Sequence, residues 1–279
     1  MLKKVDYKSI KSIAIGGFDG MHIGHQALFH ELCHNGAVVV INTGFAKLTP
    51  MYERQRHTKY PLVFLELDEI RDLDGNGFVK LLKEIFTNLQ KIVVGYDFHF
   101  GKDRKFSFED LKKLFDAEVV VVDEVKYNND SVHSHKIRNK LEIGDIIGAN
   151  HFLGYNYTVC GKQVLGQGLG KKELVATINI DAREFFMPKE GVYATLTQID
   201  DEEHFHPSVS FVGHRVTTDG SFAVESHILD GVVDCKNRAR ISFVEFLREN
   251  QKFDFLGELK NMIDKDISRT NLILKRLEL

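Results

Sequence analysis

The chain has 279 residues, 43% hydrophobic and 28% charged, with a formal net charge of −3. That length suits one large core or two moderate ones, and the absence of basic excess argues against a general nucleic-acid binder, leaving small molecules as the expected partners. Three scattered cysteines, Cys33, Cys160 and Cys235, show neither a metal spacing nor a disulfide framework. Neither a signal-peptide core nor a run of about 18 apolar residues occurs, so no membrane partner is expected and the expected location is cytoplasmic.

The first predicted unit is Ile13-Ala14-Ile15, a glycine-rich turn through Gly16, Gly17 and Gly20, and a helix entered near Gly24. A strand, loop and helix start of this kind offers unpaired N–H groups to an anion, or it is simply a tight turn. His22 and His25 are three apart, so on one helical turn both imidazoles face the same way and could donate to phosphate oxygens. Apolar strands follow at Ala37–Asn42, Lys91–Gly95 and Glu118–Asp123. They alternate with helical stripes carrying Phe78, Leu82 and Ile85, and Leu111, Leu114 and Phe115. This alternation predicts an α/β, doubly wound parallel sheet that places the opening loop at the carboxyl ends of its strands.

Asp72-Leu73-Asp74-Gly75-Asn76-Gly77 imitates the first half of a calcium loop, but the twelfth position is Lys83 where a bidentate Glu is needed, so a turn before a helix is expected. Phe98 and Phe100, beyond the strand at 91–95, face a planar ligand or belong to the core. Ser134 could accept hydrogen bonds at a helix start, with Lys136 and Arg138 as a phosphate clamp or a solvated helix face. From about Tyr155 the pattern turns to short alternating strands ending at Ala239–Leu247, then a helix with Leu256, Leu259, Met262, Ile263 and Ile267 on one stripe. That predicts a C-terminal small antiparallel β-barrel with a C-terminal helix, joined to the first half through a helix near Ile146–Phe152. Within it, Gly166 to Lys172 approaches phosphates or forms a hairpin turn. Thr177 and Asn179 put oxygens on one face of a strand, where they could hold hydrated Mg²⁺. Glu225, in an apolar strand, is a general base or an ordinary paired carboxylate.

Gly17-Phe18-Asp19-Gly20-Met21-His22-Ile23-Gly24-His25-Gln26 resembles the adenylyltransferase signature of bacterial bifunctional riboflavin kinase/FAD synthetases. The resemblance extends to Gly95–Gly101, to Ser134, Ile137 and Arg138, to Ala176-Thr177-Ile178-Asn179, to Gly191-Val192-Tyr193, and to Glu225-Ser226-His227-Ile228-Leu229-Asp230. It implies a nucleotidyltransferase domain over 1–153 and a riboflavin kinase domain over 154–279, acting in sequence on riboflavin, FMN and ATP with Mg²⁺ to give FAD and pyrophosphate. It further implies that His22, His25 and Arg138 stabilise the triphosphate, with Gly17, Phe18, Asp19, Gly24, Asp97, Phe98 and Ser134 in the nucleotide and flavin site. In the second half, Gly166 and Lys171 would bind nucleotide, Thr177 and Asn179 Mg²⁺-ATP, and Glu225 would take the proton of the riboflavin 5′-hydroxyl.

Departures from the pattern are His133 and His135 for Ser and Thr, Lys171 for Arg, Leu174-Val175 for Gly-Phe, Ala176 for Pro, and no proline in Gly213–Thr217. Two other readings follow from them: an FMN adenylyltransferase with a kinase-impaired flavin-binding half, and a non-catalytic flavin or nucleotide sensor. Nothing in the pattern specifies an oligomeric state.

Overall fold

The computed structural model describes residues 6–165, 175–200, 202–215, 220–231 and 235–277. Packing divides the chain into two units, Met1–Ser134 and His135–Leu279.

The first unit contains β1 (Ser12–Gly16), α1 (Ile23–His30), β2 (Gly36–Asn42), β3 (Leu62–Glu66), the single turn α2 (Leu67–Ile70), α3 (Gly75–Ile85) and β4 (Lys91–Gly95). It continues with the short pair β5 (His99–Phe100) and β6 (Phe106–Ser107), α4 (Phe108–Leu114), β7 (Glu118–Val122), and a second short pair, β8 (Lys126–Tyr127) and β9 (Asp130–Ser131). Five strands form one parallel sheet in the order β3-β2-β1-β4-β7. Their β-branched residues are buried on both faces, as a parallel sheet covered by helices requires. Ile13, Ile15, Val39 and Val94 meet Phe78, Leu82 and Leu111 of α3 and α4 on one side. Ala14, Val38, Val40 and Val93 meet Leu28 and Phe29 of α1 on the other. Strand order reverses between β1 and β4, so the loops leaving these two strands flank the switch-point crevice where ligands of such sheets bind.

Strand β3 was not among the predicted strands. Leu62-Val63-Phe64-Leu65 lies between Pro61 and a charged segment and is too short for its alternation to register before pairing with β2 fixes it. The calcium-like stretch resolves as a cap: Asp74 Oδ1 accepts from Gly77 N at 2.7 Å and starts α3.

The second unit begins in α5 (Ser134–Ile143) and holds α6 (Ile146–Leu153), β10 (Thr158–Val164), β11 (Ile178–Asp181), β12 (Gly191–Ile199), β13 (His206–His214), β14 (Phe222–Ile228), β15 (Arg238–Glu249) and α7 (Leu256–Lys275). The strands close into a barrel in the order β10-β11-β14-β13-β12-β15. Closure leaves no open edge, which suits strands this short. Helix α7 packs Ile273 and Leu274 on Val192, Ala194 and Val244. These two lie further along the helix than the predicted stripe, within which the buried Asp266 accepts from Nε and Nη2 of Arg248. The compact division falls earlier than residue 153 because α5 and α6 bond to the barrel: Lys189 N donates to Leu141 O, and Asn150 Nδ2 to Phe243 O.

The barrel has a sharp steric test. A Cβ at Gly161 would stand 2.2 Å from the carbonyl oxygen of Asp181, across the β10–β11 pair, and this obstacle is backbone that cannot swing away. Gly161→Ala is therefore expected to cost about 1–3 kcal/mol and to lower the barrel's thermal midpoint by circular dichroism. Gly17→Ala, where a Cβ meets nothing within 4 Å, should leave stability unchanged.

Candidate functional sites

The loop after β1 is held in a strained shape. Phe18 and Met21 have φ of 49° and 41°, in the left-handed region that costs side-chain-bearing residues energy, and Gly20 has φ of 86°. What over-determines it is Arg54, a residue sequence reasoning missed. Its side chain is almost wholly buried, Nε donates to Phe18 O at 3.1 Å and Nη2 reaches Gly17 O at 3.4 Å. Asp19 Oδ1 accepts from Leu48 N and Thr49 N, while Thr49 Oγ1 accepts from Gly20 N at 2.9 Å. Gly17, Phe18 and Asp19 thus frame the loop through their carbonyls and carboxylate. Arg54 lies in Met51–His57, a polar stretch that reads as surface, and only the fold turns it inward.

His22 caps α1 by accepting from His25 N on Nδ1 at 3.3 Å, which assigns its proton to Nε2. Gly24 is what lets the His22 ring lie over the helix start, since a Cβ there would stand 3.2 Å from His22 Cε1 and Nδ1. The two imidazoles stack at 3.5 Å, and Phe18 packs edge-on against His25. Burial, with the charge of His133 adding to it, pushes His22 down to about 3 from 6.5. His25 is held well below the ordinary range by burial and then by His22, Arg54 and His133. The two rings lie on the same side of the helix start, and burial keeps both imidazoles neutral. His25 Nδ1 is buried with no hydrogen-bond partner among the described residues.

At the end of β4, Asp97 is exposed, and its carbonyl meets His99 Nδ1 at 2.9 Å. Phe98 and Phe100 stack at 5.6 Å inside the sheet's core. Of the two alternatives for Phe98, ligand or core, its packing follows the core: Phe100 meets Phe78, and Phe98 lies beside it in the same cluster. The Ser134 hydroxyl donates to Asp19 O at 2.6 Å, so it locks the opening loop. Helix α5 starts at Ser134 and carries the half-buried Arg138 one turn on.

In the barrel, Asn179 on β11 and Glu225 on β14 are register partners. Thr177 joins them, with Asn179 Nδ2 donating to Thr177 Oγ1 at 3.3 Å. Sequence reasoning did not foresee the residue that binds the set. Arg215 donates from Nη2 to Asn179 Oδ1 at 2.7 Å and from Nε to Glu225 Oε1 at 2.6 Å, while Nη1 reaches Ser221 Oγ at 2.9 Å. Glu225 is consequently ion-paired and only partly exposed, at 21% of its side chain, rather than sealed among apolar groups. Gly166, Lys171 and Leu174 lie outside the described residues, as do Val216 and Thr217.

The oxygen donors of Thr177, Asn179 and Glu225 match the preference of a hard cation such as Mg²⁺. Each carbonyl-type oxygen held by Arg215 keeps a second lone pair, so the donor set fits such an ion.

Comparison with known proteins finds matches in both halves of the chain. A family model described as riboflavin kinase matches residues 153–274, and one described as FAD synthetase matches residues 62–136. The bifunctional riboflavin kinase/FMN adenylyltransferase of Listeria monocytogenes is 28% identical, with 96% of this chain and 94% of that protein aligned. The enzyme of the same name from Pseudomonas fluorescens is also 28% identical, over 91% of this chain and 90% of its own length. A solved Streptococcus pneumoniae structure described as a macrolide-efflux protein superposes with a TM-score of 0.81 at 26% identity, over 94% of both chains. Among the described residues here, no helix is long and apolar enough to cross a membrane.

Proposed function

The chain belongs to the bacterial bifunctional riboflavin kinase/FMN adenylyltransferase family, and from that premise we propose a division of labour between its halves. Residues 154–279 phosphorylate riboflavin with ATP, and residues 1–153 adenylylate the resulting FMN to FAD, in the cytoplasm. The observation that carries this reading is the convergence of Thr177 and Asn179, at the start of β11, with Glu225 of β14 on one oxygen-rich cluster. The alignment of relatives over nine-tenths of both lengths supports it.

In the kinase half, Glu225 takes the proton of the riboflavin 5′-hydroxyl as that oxygen attacks the γ-phosphorus of ATP, and ADP leaves. Arg215 engages Oε1 of Glu225, so the proton goes to Oε2. Thr177 and Asn179 would hold Mg²⁺, which when bound would supply charge neutralisation on the phosphates. In the adenylyltransferase half, an FMN phosphate oxygen attacks the α-phosphorus of ATP and pyrophosphate leaves. No nucleophilic side chain is needed. His22 and His25 donate hydrogen bonds to the triphosphate, and the loop fixed by Arg54, Asp19 and Ser134 holds the donors ready.

One observation favours a second reading, an FMN adenylyltransferase with an impaired kinase half: the guanidinium of Arg215 already occupies the oxygens that would face a cation. Incubating the protein with riboflavin, ATP and Mg²⁺ and separating flavins by chromatography distinguishes the two. The expected result is transient FMN followed by FAD. FAD from supplied FMN alone would support the second reading, and no turnover of either flavin would leave a flavin or nucleotide sensor.

A further inference from the structure

Past the Ser208–Ile228 end of the β13–β14 pair, a second cluster has no part in either proposed reaction. His206 opens β13, and His204 lies two residues before it, so along an extended chain both side chains project to one side. The register that pairs Ser208 with Ile228 continues through a hydrogen bond from Leu229 N to Pro207 O, which places Asp230 directly across from His206. The side chains converge accordingly. His206 Nδ1 lies 3.0 and 3.1 Å from the two oxygens of Asp230, and His204 Nε2 lies 3.5 Å from Asp230 Oδ2. One ligating atom from each of the three falls within 4.8 Å of the others.

The geometry points to a binding site for one first-row divalent transition ion, of which Zn²⁺ is the type, held by His204, His206 and Asp230. Zinc bonds to imidazole nitrogen and carboxylate oxygen at about 2.0–2.2 Å, so neighbouring ligands of a tetrahedral ion stand about 3.3 Å apart. The spacings of 3.0 to 3.5 Å bracket that value. Two imidazoles with one carboxylate suit zinc, copper or nickel and not magnesium, which takes an oxygen shell.

A fourth residue completes the argument. His206 Nε2, the nitrogen pointing away from Asp230, lies 3.4 Å from Glu202 Oε2. A carboxylate on the far nitrogen of a ligating histidine fixes the tautomer that presents the other nitrogen to the metal. Asp230 is five residues beyond Glu225 along the strand direction, about 16 Å at strand rise, so this site is separate from the proposed Mg²⁺-ATP cluster. An ion here would join the open ends of β13 and β14, and its role would be to clamp the barrel.

The test uses the full-length protein stripped of metal. Titration with Zn²⁺ alone, followed with a chromophoric zinc indicator, should show one tight ion per chain. His204→Ala and His206→Ala should each weaken binding at least about 10-fold, and Glu202→Gln about 10- to 100-fold through the lost tautomer lock. Because His204 is exposed, His204→Ala is expected to fold normally, and its riboflavin phosphorylation with Mg²⁺ should be unchanged. Zn²⁺ should also raise the barrel's thermal midpoint by several degrees in the native protein and not in His204→Ala. Absence of saturable Zn²⁺ binding, or tight binding that both histidine variants retain, would overturn the site.

Discussion

Replacing His25 with alanine is expected to slow FAD formation from supplied FMN by about 10²- to 10³-fold, the usual cost of losing one pre-aimed donor to a developing oxyanion. Phosphorylation of riboflavin should proceed as before, because Glu225 and its partners lie in the other compact unit. That internal control separates chemistry from misfolding in a single reaction mixture. The size of the effect follows from how the ring is held, stacked on His22 at 3.5 Å and braced by the edge of Phe18. A fixed neutral donor loses little freedom when the triphosphate arrives. Equal FAD rates in variant and native protein would remove His25 from the reaction.

The same stack makes the first unit acid-sensitive. His22 titrates near 3 in the folded protein against 6.5 ordinarily, so between those values the unfolded chain takes up a proton that folded His22 refuses. Stability from this group is full above pH 6.5 and drains as pH falls toward 3, and His25 shifts in the same direction. His22→Asn keeps a capping oxygen while removing the titration. Its thermal midpoint should therefore fall less between pH 7 and pH 5 than that of the native protein, and parallel profiles would count against the burial argument.

The sheet was legible where runs of Val and Ile made burial unmistakable, as in Ala37–Asn42 and Lys91–Gly95. Strand β3 was not, because it is short and is defined by its pairing with β2 more than by its own pattern. At the sites, residues whose role depends on local spacing were readable, since His22 and His25 share one turn and Thr177 and Asn179 share one face. Arg54 and Arg215 were not, because each gains its meaning by reaching 36 or more residues along the chain, to Phe18 or to Asn179. Long-range bridging by arginine leaves no local signal. Phe98 shows the converse: its local sequence fits a ligand or the core equally, and only its packing on Phe100 shows that it sits in the core cluster.

Glu225→Gln is expected to lower riboflavin phosphorylation by about 10²- to 10⁴-fold, the range over which a positioned general base contributes, while FAD synthesis from supplied FMN continues. The substitution keeps the shape of the side chain and its hydrogen bond from Arg215 Nε, but removes the negative charge that receives the proton. Arg215 decides between the two readings of this half. If the guanidinium aims Glu225, Arg215→Ala should lower kcat with little change in the KM for riboflavin, because Asn179 and Glu225 lose their common tether. If it instead blocks a cation's place on those oxygens, the same substitution should raise the rate and reduce the Mg²⁺ concentration needed for half-maximal activity. The first outcome is expected. A guanidinium bonded to three different side chains, Asn179, Ser221 and Glu225, is organised to hold geometry, and a mere occupant of a cation site would have no need of Ser221.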